Sequence, residues 1–187
     1  MNNCSAKIIL QATDIVPIIE KLRKQGKKIV LTQGSFDLVH IGHARYCDMA
    51  RDYGDVLIVG VDSDEKVHQR KGPNRPIVPE DERMEMLTHL RSVDYVVLKE
   101  LGEKKFNLIR LINPDVLIAT AETYDEATIK ELEKICGKVV VLDPMATTST
   151  TAKIRLMQMS TARKIEDRMK TKLIKSIEEV LEELRTS

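Results

Sequence analysis

The chain has 187 residues, 42% of them hydrophobic and 32% charged, which suits one α/β domain with a helical appendage. Thirty basic against twenty-nine acidic residues leave a net charge of +1, so the basic field of a duplex nucleic-acid binder is absent. The longest apolar run, residues 56–61, falls far short of the roughly 20 residues a membrane span needs. The polar start (Met1 to Ser5) does not resemble a secretory signal. Three scattered cysteines (Cys4, Cys47, Cys136) exclude a disulfide framework and a zinc site built from cysteine pairs. The expectation is a cytoplasmic soluble protein with neither a membrane nor a nucleic acid as partner.

In chain order, a first helix is predicted from Thr13 or Asp14, with Pro17 tolerated in its first turn and Gly26 ending it. The cations that follow its apolar face (Lys21, Arg23, Lys24, Lys27, Lys28) are explained by dipole compensation at a helix C-terminus. Short apolar, β-branched runs then recur at 29–31, 56–61, 93–98, 116–118 and 139–142, with helical spacing between them. Such alternation predicts βαβ units around a buried parallel sheet, with helices on both faces. Helices are predicted over 43–52, 80–90, 103–112 and 125–135. The stretch Arg70-Lys71-Gly72-Pro73-Asn74-Arg75-Pro76 is predicted to be a rigid basic loop, neither helix nor central strand. Thr147 to Thr151 is a polar run after the fifth strand and before a helical pattern.

The segment after the first strand, Gly34-Ser35-Phe36-Asp37-Leu38-Val39-His40-Ile41-Gly42-His43, carries the chemistry. A glycine between two histidines lets backbone approach a ligand closely, and His43 is predicted to open a helix. Unpaired N–H groups at a helix N-terminus favour an anion, and ligands of doubly wound sheets bind at strand C-terminal ends. The pattern suggests a triphosphate held by imidazoles and a helix N-terminus. Taken alone, two such histidines read more readily as surface loop residues.

The run GxFDxxHxGH resembles the cytidylyltransferase-like nucleotidyltransferases at Gly34, Phe36, Asp37, His40, Gly42 and His43. The resemblance continues through residues 54–59, 61–64, Lys71-Gly72, Arg75-Pro76-Ile77, Glu82-Arg83, Arg91-Ser92-Val93-Asp94 and Ser149-Thr150-Thr151, covering roughly residues 13–157. Within the family the pattern is most similar to the domain that adenylylates heptose 1-phosphate.

That resemblance implies a Rossmann-like doubly wound α/β fold with a five-stranded parallel sheet in the order 3-2-1-4-5. A nucleotidyltransferase domain is expected over 1–159 and an amphipathic C-terminal helix over 160–187. It implies transfer of a nucleotide to a phosphorylated small molecule with release of pyrophosphate, ATP first and CTP second. Mg²⁺ would be held mainly by nucleotide phosphates, with no protein metal ligand. His40, His43 and Lys71 would be catalytic, through donors and positive charge at the reacting phosphorus. Gly34, Ser35, Phe36, Asp37, Gly42, Arg75, Arg91, Asp94, Ser149, Thr150 and Thr151 would line the nucleotide site, and Glu122 the acceptor site. Bland readings stand beside these: a helix cap for the Ser/Thr run, a plain salt bridge at a strand entry for Arg91 and Asp94, a turn carboxylate for Asp37. His68 and His89 match nothing and are expected to be exposed helical residues, and Cys47 a core residue.

After the fourth strand the heptose-type Lys-Gly-Gly-Asp-Tyr becomes Ala119-Thr120-Ala121-Glu122-Thr123-Tyr124, keeping only an acid before the tyrosine. The Arg-Thr-Xaa-Gly of glycerol-phosphate and choline-phosphate cytidylyltransferases is replaced by Pro144-Met145-Ala146-Thr147. Acceptor and base stay open between a sugar 1-phosphate adenylyltransferase, a cytidylyltransferase for a polyol or alcohol phosphate, a flavin-type adenylyltransferase and a non-catalytic nucleotide sensor. The tail repeats Ile165, Met169, Leu173, Ile177, Val180, Leu181 and Leu184 as one apolar stripe. Arg163 to Lys175 holds six bases and two acids, and Glu178 to Glu183 four acids and no base. A helix dipole prefers the reverse order, whereas two antiparallel copies pair these halves, so a homodimer through the tail is expected, the alternative being a tail folded back on its own domain, which the stripe allows equally well.

Overall fold

The computed structural model describes residues 7–120 and 124–143, and beyond them residues 157, 161, 165, 168–170 and 172–173. The chain divides into two compact units, Met1–Ala146 and Thr147–Ser187. In the second unit the described residues are helical and exposed.

The first unit runs β1 (Ile8–Ile9), α1 (Val16–Lys24), β2 (Ile29–Gly34), α2 (Ile41–Arg51), β3 (Val56–Asp62), α3 (Asp64–Lys71), α4 (Glu80–Thr88), β4 (Tyr95–Lys99), α5 (Asn107–Ile112), β5 (Val116–Thr120), α6 (Glu126–Leu132) and β6 (Val139–Leu142). All pairings are parallel, in the order β1-β4-β3-β2-β5-β6. The five expected strands keep their expected order, and the doubly wound, Rossmann-like class holds. The strand count does not: Ile8–Ile9 adds a sixth strand at the edge, paired with Val96 and Val97. Two residues carry no period of their own, so only the neighbouring strand makes them β.

Alternation along the strands feeds two separate cores. Ile29 and Leu31 of β2, Ile58 of β3 and Leu117 of β5 pack with α1, α5 and α6 through Ile19, Ile112 and Leu132. Val30, Leu57, Val59 and Ile118 face α2 and α4 through Cys47, Ala50, Met84 and Leu87. Both faces are covered, which is why β3 is buried at all seven positions and reads as a continuous apolar run. The Tyr46 hydroxyl pins α2 to the sheet, sharing a 2.8 Å hydrogen bond with Thr32 and donating to the Ile118 carbonyl at 3.4 Å. Burial pushes this phenol up to about 12, and the Thr32 bond opposes the shift.

Three local expectations change. A 3-10 turn, Ala12–Ile15, precedes α1. The second helix begins at Ile41, so His43 lies in its first turn and His40 caps it. Finally, Arg70 and Lys71 belong not to a loop but to the last turn of α3. That helix is strongly polar and buries only Val67, so it has no apolar stripe to reveal it. It is held by other means: Ser63 accepts from the Lys66 N–H at 3.2 Å, acids occupy its first turn and bases its last. Gly72 ends it at φ 91°, a conformation that side-chain-bearing residues rarely adopt. No described helix is long and apolar enough to cross a membrane.

Candidate active site

The site forms where β2, the central strand, ends and α2 begins. Phe36 and Leu38 take left-handed backbone conformations (φ 48° and 51°), which turn the chain sharply between the two elements. Phe36 is buried, with its ring centroid 5.6 Å from that of His43. His40 is the N-cap of α2, and its Nδ1 accepts the Gly42 N–H at 3.1 Å. In return His43 Nδ1 accepts the His40 N–H at 3.2 Å. The helix start is therefore closed by a reciprocal capping box made of imidazoles, with ring centroids 4.1 Å apart. A neutral imidazole that accepts at Nδ1 carries its proton on Nε2. The cap thus fixes the tautomer of both rings and makes each Nε2 a donor.

Asp37 does a second job in the same loop. Its buried carboxylate accepts the Ile77 N–H (3.0 Å) and the Val78 N–H (3.0 Å), and it pairs with Arg75 Nε at 2.8 Å. It fastens the segment after α3 against the histidine loop.

The ends of β3 and β4 supply a charge cluster. Asp62, 1% exposed, bonds Lys99 Nζ at 2.9 Å and pairs with Arg70 Nη2 at 3.0 Å. The same Nη2 donates to Ser35 Oγ at 2.7 Å, which ties α3 to the histidine loop. Lys99 reaches Asp62 by crossing over Gly60, where a Cβ would stand 2.9 Å from its Cδ. Arg83, also 1% exposed, donates to the Ser35 carbonyl, the Asp62 carbonyl (2.8 Å), the Asp64 carboxylate (2.8 Å) and the Val78 carbonyl (3.0 Å). One buried guanidinium so joins four segments around the site.

Electrostatics in the cluster are unbalanced. Burial tends to raise the Asp62 carboxyl, but Lys99 and Arg70 outweigh it and hold the group below the usual carboxylate range. The Lys99 ammonium is pushed down by burial, and Lys66 and Arg70 add to the shift against the pull of Asp62. Partial burial likewise lowers Lys71, with Arg70 and Arg75 adding to it and Asp37 and Asp62 opposing. The anion sees several cations, whereas each lysine sees further cations beside its carboxylates.

Of the residues expected at the site, Gly34 ends β2, Ser35, Phe36, Asp37 and His40 lie in this loop, Gly42 and His43 in α2's first turn, Lys71 at the end of α3 and Arg75 in the α3-to-α4 segment that Asp37 locks in place. Arg91 and Asp94 lie instead at the start of β4, the opposite end of the sheet. There Asp94 accepts the Leu57 N–H at 2.8 Å and pairs with Arg51 at 3.3 Å, while Arg91, 90% exposed, pairs with Asp48 at 3.6 Å. Glu122, Ser149, Thr150 and Thr151 lie outside the described residues. His68 and His89 are exposed and Cys47 is buried in the core. Sequence reasoning missed Arg70, Asp62, Lys99 and Arg83 as site components. Arg83 could have been found, since it stands four residues before Leu87 on the buried side of α4.

A family model described as cytidylyltransferase-like matches residues 31–155. The bifunctional protein HldE of Aliarcobacter butzleri is 40% identical over 143 residues, 76% of this chain and 30% of that protein. HldE of a Nitratiruptor species is 39% identical over 145 residues, 78% of this chain and 31% of that protein. The chain therefore spans about a third of the length of these curated relatives. The crystal structure of a lipopolysaccharide core biosynthesis protein from Thermoplasma volcanium aligns with TM-score 0.58 and 27% identity, covering 64% of this chain and 98% of that one. A pantoate-beta-alanine ligase from Francisella tularensis, complexed with beta-gamma ATP and beta-alanine, aligns with TM-score 0.53 at 18% identity over 73% of this chain and 67% of that one, a likeness of fold.

Proposed function

The chain belongs to the cytidylyltransferase-like family, and from that premise we propose that it transfers a nucleotide from a nucleoside triphosphate to a phosphorylated small molecule. The observation that carries this reading is the imidazole capping box of His40 and His43 at the end of the central strand. In the reaction an acceptor phosphate oxygen bonds to the α-phosphorus, the bond from that phosphorus to the bridging oxygen breaks, and pyrophosphate leaves. No nucleophilic side chain is required, so the protein's work is positioning and charge neutralisation.

Both Nε2 donors would meet the triphosphate beside the N-terminal amides of α2, with His43 on the oxygens whose charge grows in the transition state. Lys71 would add positive charge from the end of α3, and Asp37, by holding Arg75 and the two backbone amides, keeps that segment in place. Gly34, Ser35, Phe36 and Gly42 would shape the nucleotide pocket. Ser149, Thr150 and Thr151 are assigned to the β- and γ-phosphates, and Glu122 to the acceptor, on family resemblance alone.

Among the described residues no group of three or more His, Cys, Asp or Glu side chains could hold a metal ion. The nearby carboxylates, Asp37 and Asp62, already face Arg75, Lys99 and Arg70. This donor set fits a Mg²⁺ that arrives on the nucleotide, ligated by phosphate oxygens and water, and supplies charge neutralisation there.

ATP is the preferred donor and a sugar 1-phosphate the preferred acceptor, with CTP next. The heptose-type sequence pattern and the likeness to a lipopolysaccharide core biosynthesis protein support that choice. A homodimer is part of the same reading. The test is a matrix of ATP, CTP, GTP and UTP against phosphorylated sugars, polyols and alcohols, read as pyrophosphate release with and without EDTA. One nucleotide and one acceptor should give EDTA-sensitive turnover. Thermal stabilisation by nucleotide with no turnover in any well would instead favour a nucleotide-sensing module.

A further inference from the structure

At the carboxyl end of the sheet, two buried polar atoms have no hydrogen-bond partner among the described residues: Nε2 of Gln33 and Oδ2 of Asp62. Arg70 Nη2 stands 3.0 Å from that oxygen as an ion pair, but it is not aligned to donate to it. Both side chains belong to one face of the sheet. Gln33 stands opposite Gly60 in the β2–β3 register, and Asp62 follows Gly60 by two residues, so all three point to the same side. Gly60 leaves room between them, since a Cβ there would stand 3.1 Å from Gln33 Cγ and 2.9 Å from Lys99 Cδ. By strand spacing and rise, Gln33 and Asp62 lie about 8 Å apart at the backbone. A glutamine, an aspartate and one bridging oxygen between them span that gap. Lys99 Nζ closes the same recess, bonded to the other oxygen of Asp62 at 2.9 Å. Gln33 itself is half-buried and precedes Gly34, where β2 gives way to the histidine loop.

We propose that Gln33 and Asp62 bind a hydroxyl group of a substrate's sugar, with Lys99 positioning Asp62. The inference rests on the transfer reaction proposed above, in which both substrates carry a sugar: the ribose of the nucleotide and the ring of the acceptor. An unpaired donor beside an unpaired acceptor selects the ligand chemistry. A hydroxyl accepts from the amide and donates to the carboxylate, whereas a phosphate oxygen only accepts and is repelled by Asp62. The donor is costly to leave unmet in a buried place, and such local costs concentrate at functional sites. The terminal torsion of a glutamine is soft, so the amide turns toward a ligand at little cost.

The test is calorimetric binding of two sugar-bearing ligands, ATP and heptose 1-phosphate, and their sugar-free counterparts, inorganic triphosphate and inorganic phosphate, to wild type and Gln33→Met. The variant keeps the length of the side chain and removes the donor. It should bind a sugar-bearing ligand more weakly, on the order of 3- to 10-fold for one neutral hydrogen bond, and both sugar-free ions within about twofold of wild type. Loss with ATP assigns the hydroxyl to the ribose, and loss with heptose 1-phosphate assigns it to the acceptor. The urea midpoint of the free variant should stay level or rise, because an unpaired buried donor has gone. Unchanged binding of both sugar-bearing ligands would overturn the proposal. So would an equal loss with all four ligands together with a lower urea midpoint, the result expected if a buried water bridges the two atoms in a purely structural role. If wild type bound these ligands but released no pyrophosphate with any acceptor, the transfer reading would fall while the binding comparison still decided for Gln33. A wild type that bound neither sugar-bearing ligand would remove both.

Discussion

His43 illustrates how one side chain can be structural and chemical at once. Its Nδ1 closes the start of α2, and that bond commits Nε2 to donation. His43→Ala should therefore lower kcat by on the order of 10²–10³, as for loss of one donor to a developing oxyanion, and change the nucleotide KM far less. Single-turnover and steady-state assays would show it, and a near wild-type kcat would place the triphosphate elsewhere. Asp37→Ala removes an interior carboxylate and leaves Arg75, 13% exposed, without its ion pair. A loss of about 3 kcal/mol in urea unfolding is expected for breaking such a pair. Asp62 has a pH signature. Its folded-state pKa lies below the unfolded value, so the unfolded chain takes up this proton first as the pH falls. Its stabilisation is complete above the ordinary carboxylate range and disappears as the pH drops through the lower, folded-state value. Asp62→Asn should flatten the acid limb of the stability-against-pH curve. An acid limb of the same slope in this variant would show that the carboxylate does not titrate as described.

At the scale of elements, α3 joins local helix signals to the site. Ser63 caps it, acids fill its first turn, and its last turn carries Arg70, which meets Ser35 and Asp62, and Lys71, to which the proposed reaction gives a charge-neutralising role. Ser63→Ala should cost about 1 kcal/mol of stability, typical of losing an N-cap. It should also raise KM values more than it lowers kcat, because Arg70 and Lys71 are displaced while the histidines are not. Chemical denaturation and kinetics on the same preparation would test this, and an unaltered KM would separate the helix start from the site. Long apolar elements such as β3 were legible from sequence because burial on both faces leaves an uninterrupted apolar run. α3 and β1 were not: one has no stripe, and the other exists only through its pairing with β4.

For the whole molecule, we propose association through the tail. Ile165, Met169 and Leu173 recur four residues apart, and all are more than half exposed in the single chain. Tail helices paired antiparallel in a homodimer would cover this stripe and set basic halves against acidic ones. Sedimentation should give a dimer for the full chain and a monomer for a truncation ending near Ser160. A truncated protein that stays fully dimeric, or a monomeric full chain, would remove the tail from the interface.

By itself the sequence determined the alternating α/β class, the order of five strands through family resemblance, and the histidine loop at the end of the central strand. Those signals are local: apolar runs report burial, and Gly34-to-His43 holds its chemistry within ten residues. Only the tertiary structure decided that Asp37 serves as a lock, that Arg91 and Asp94 lie at the far end of the sheet, and that Arg70, Asp62 and Lys99 meet. The Asp62–Lys99 bond spans 37 positions and exists because β3 and β4 pair in a register that sets Asp62 opposite Lys99. No period or spacing in the chain encodes such a contact, since a charged residue at a strand end reads alike whether water or another strand's side chain receives it.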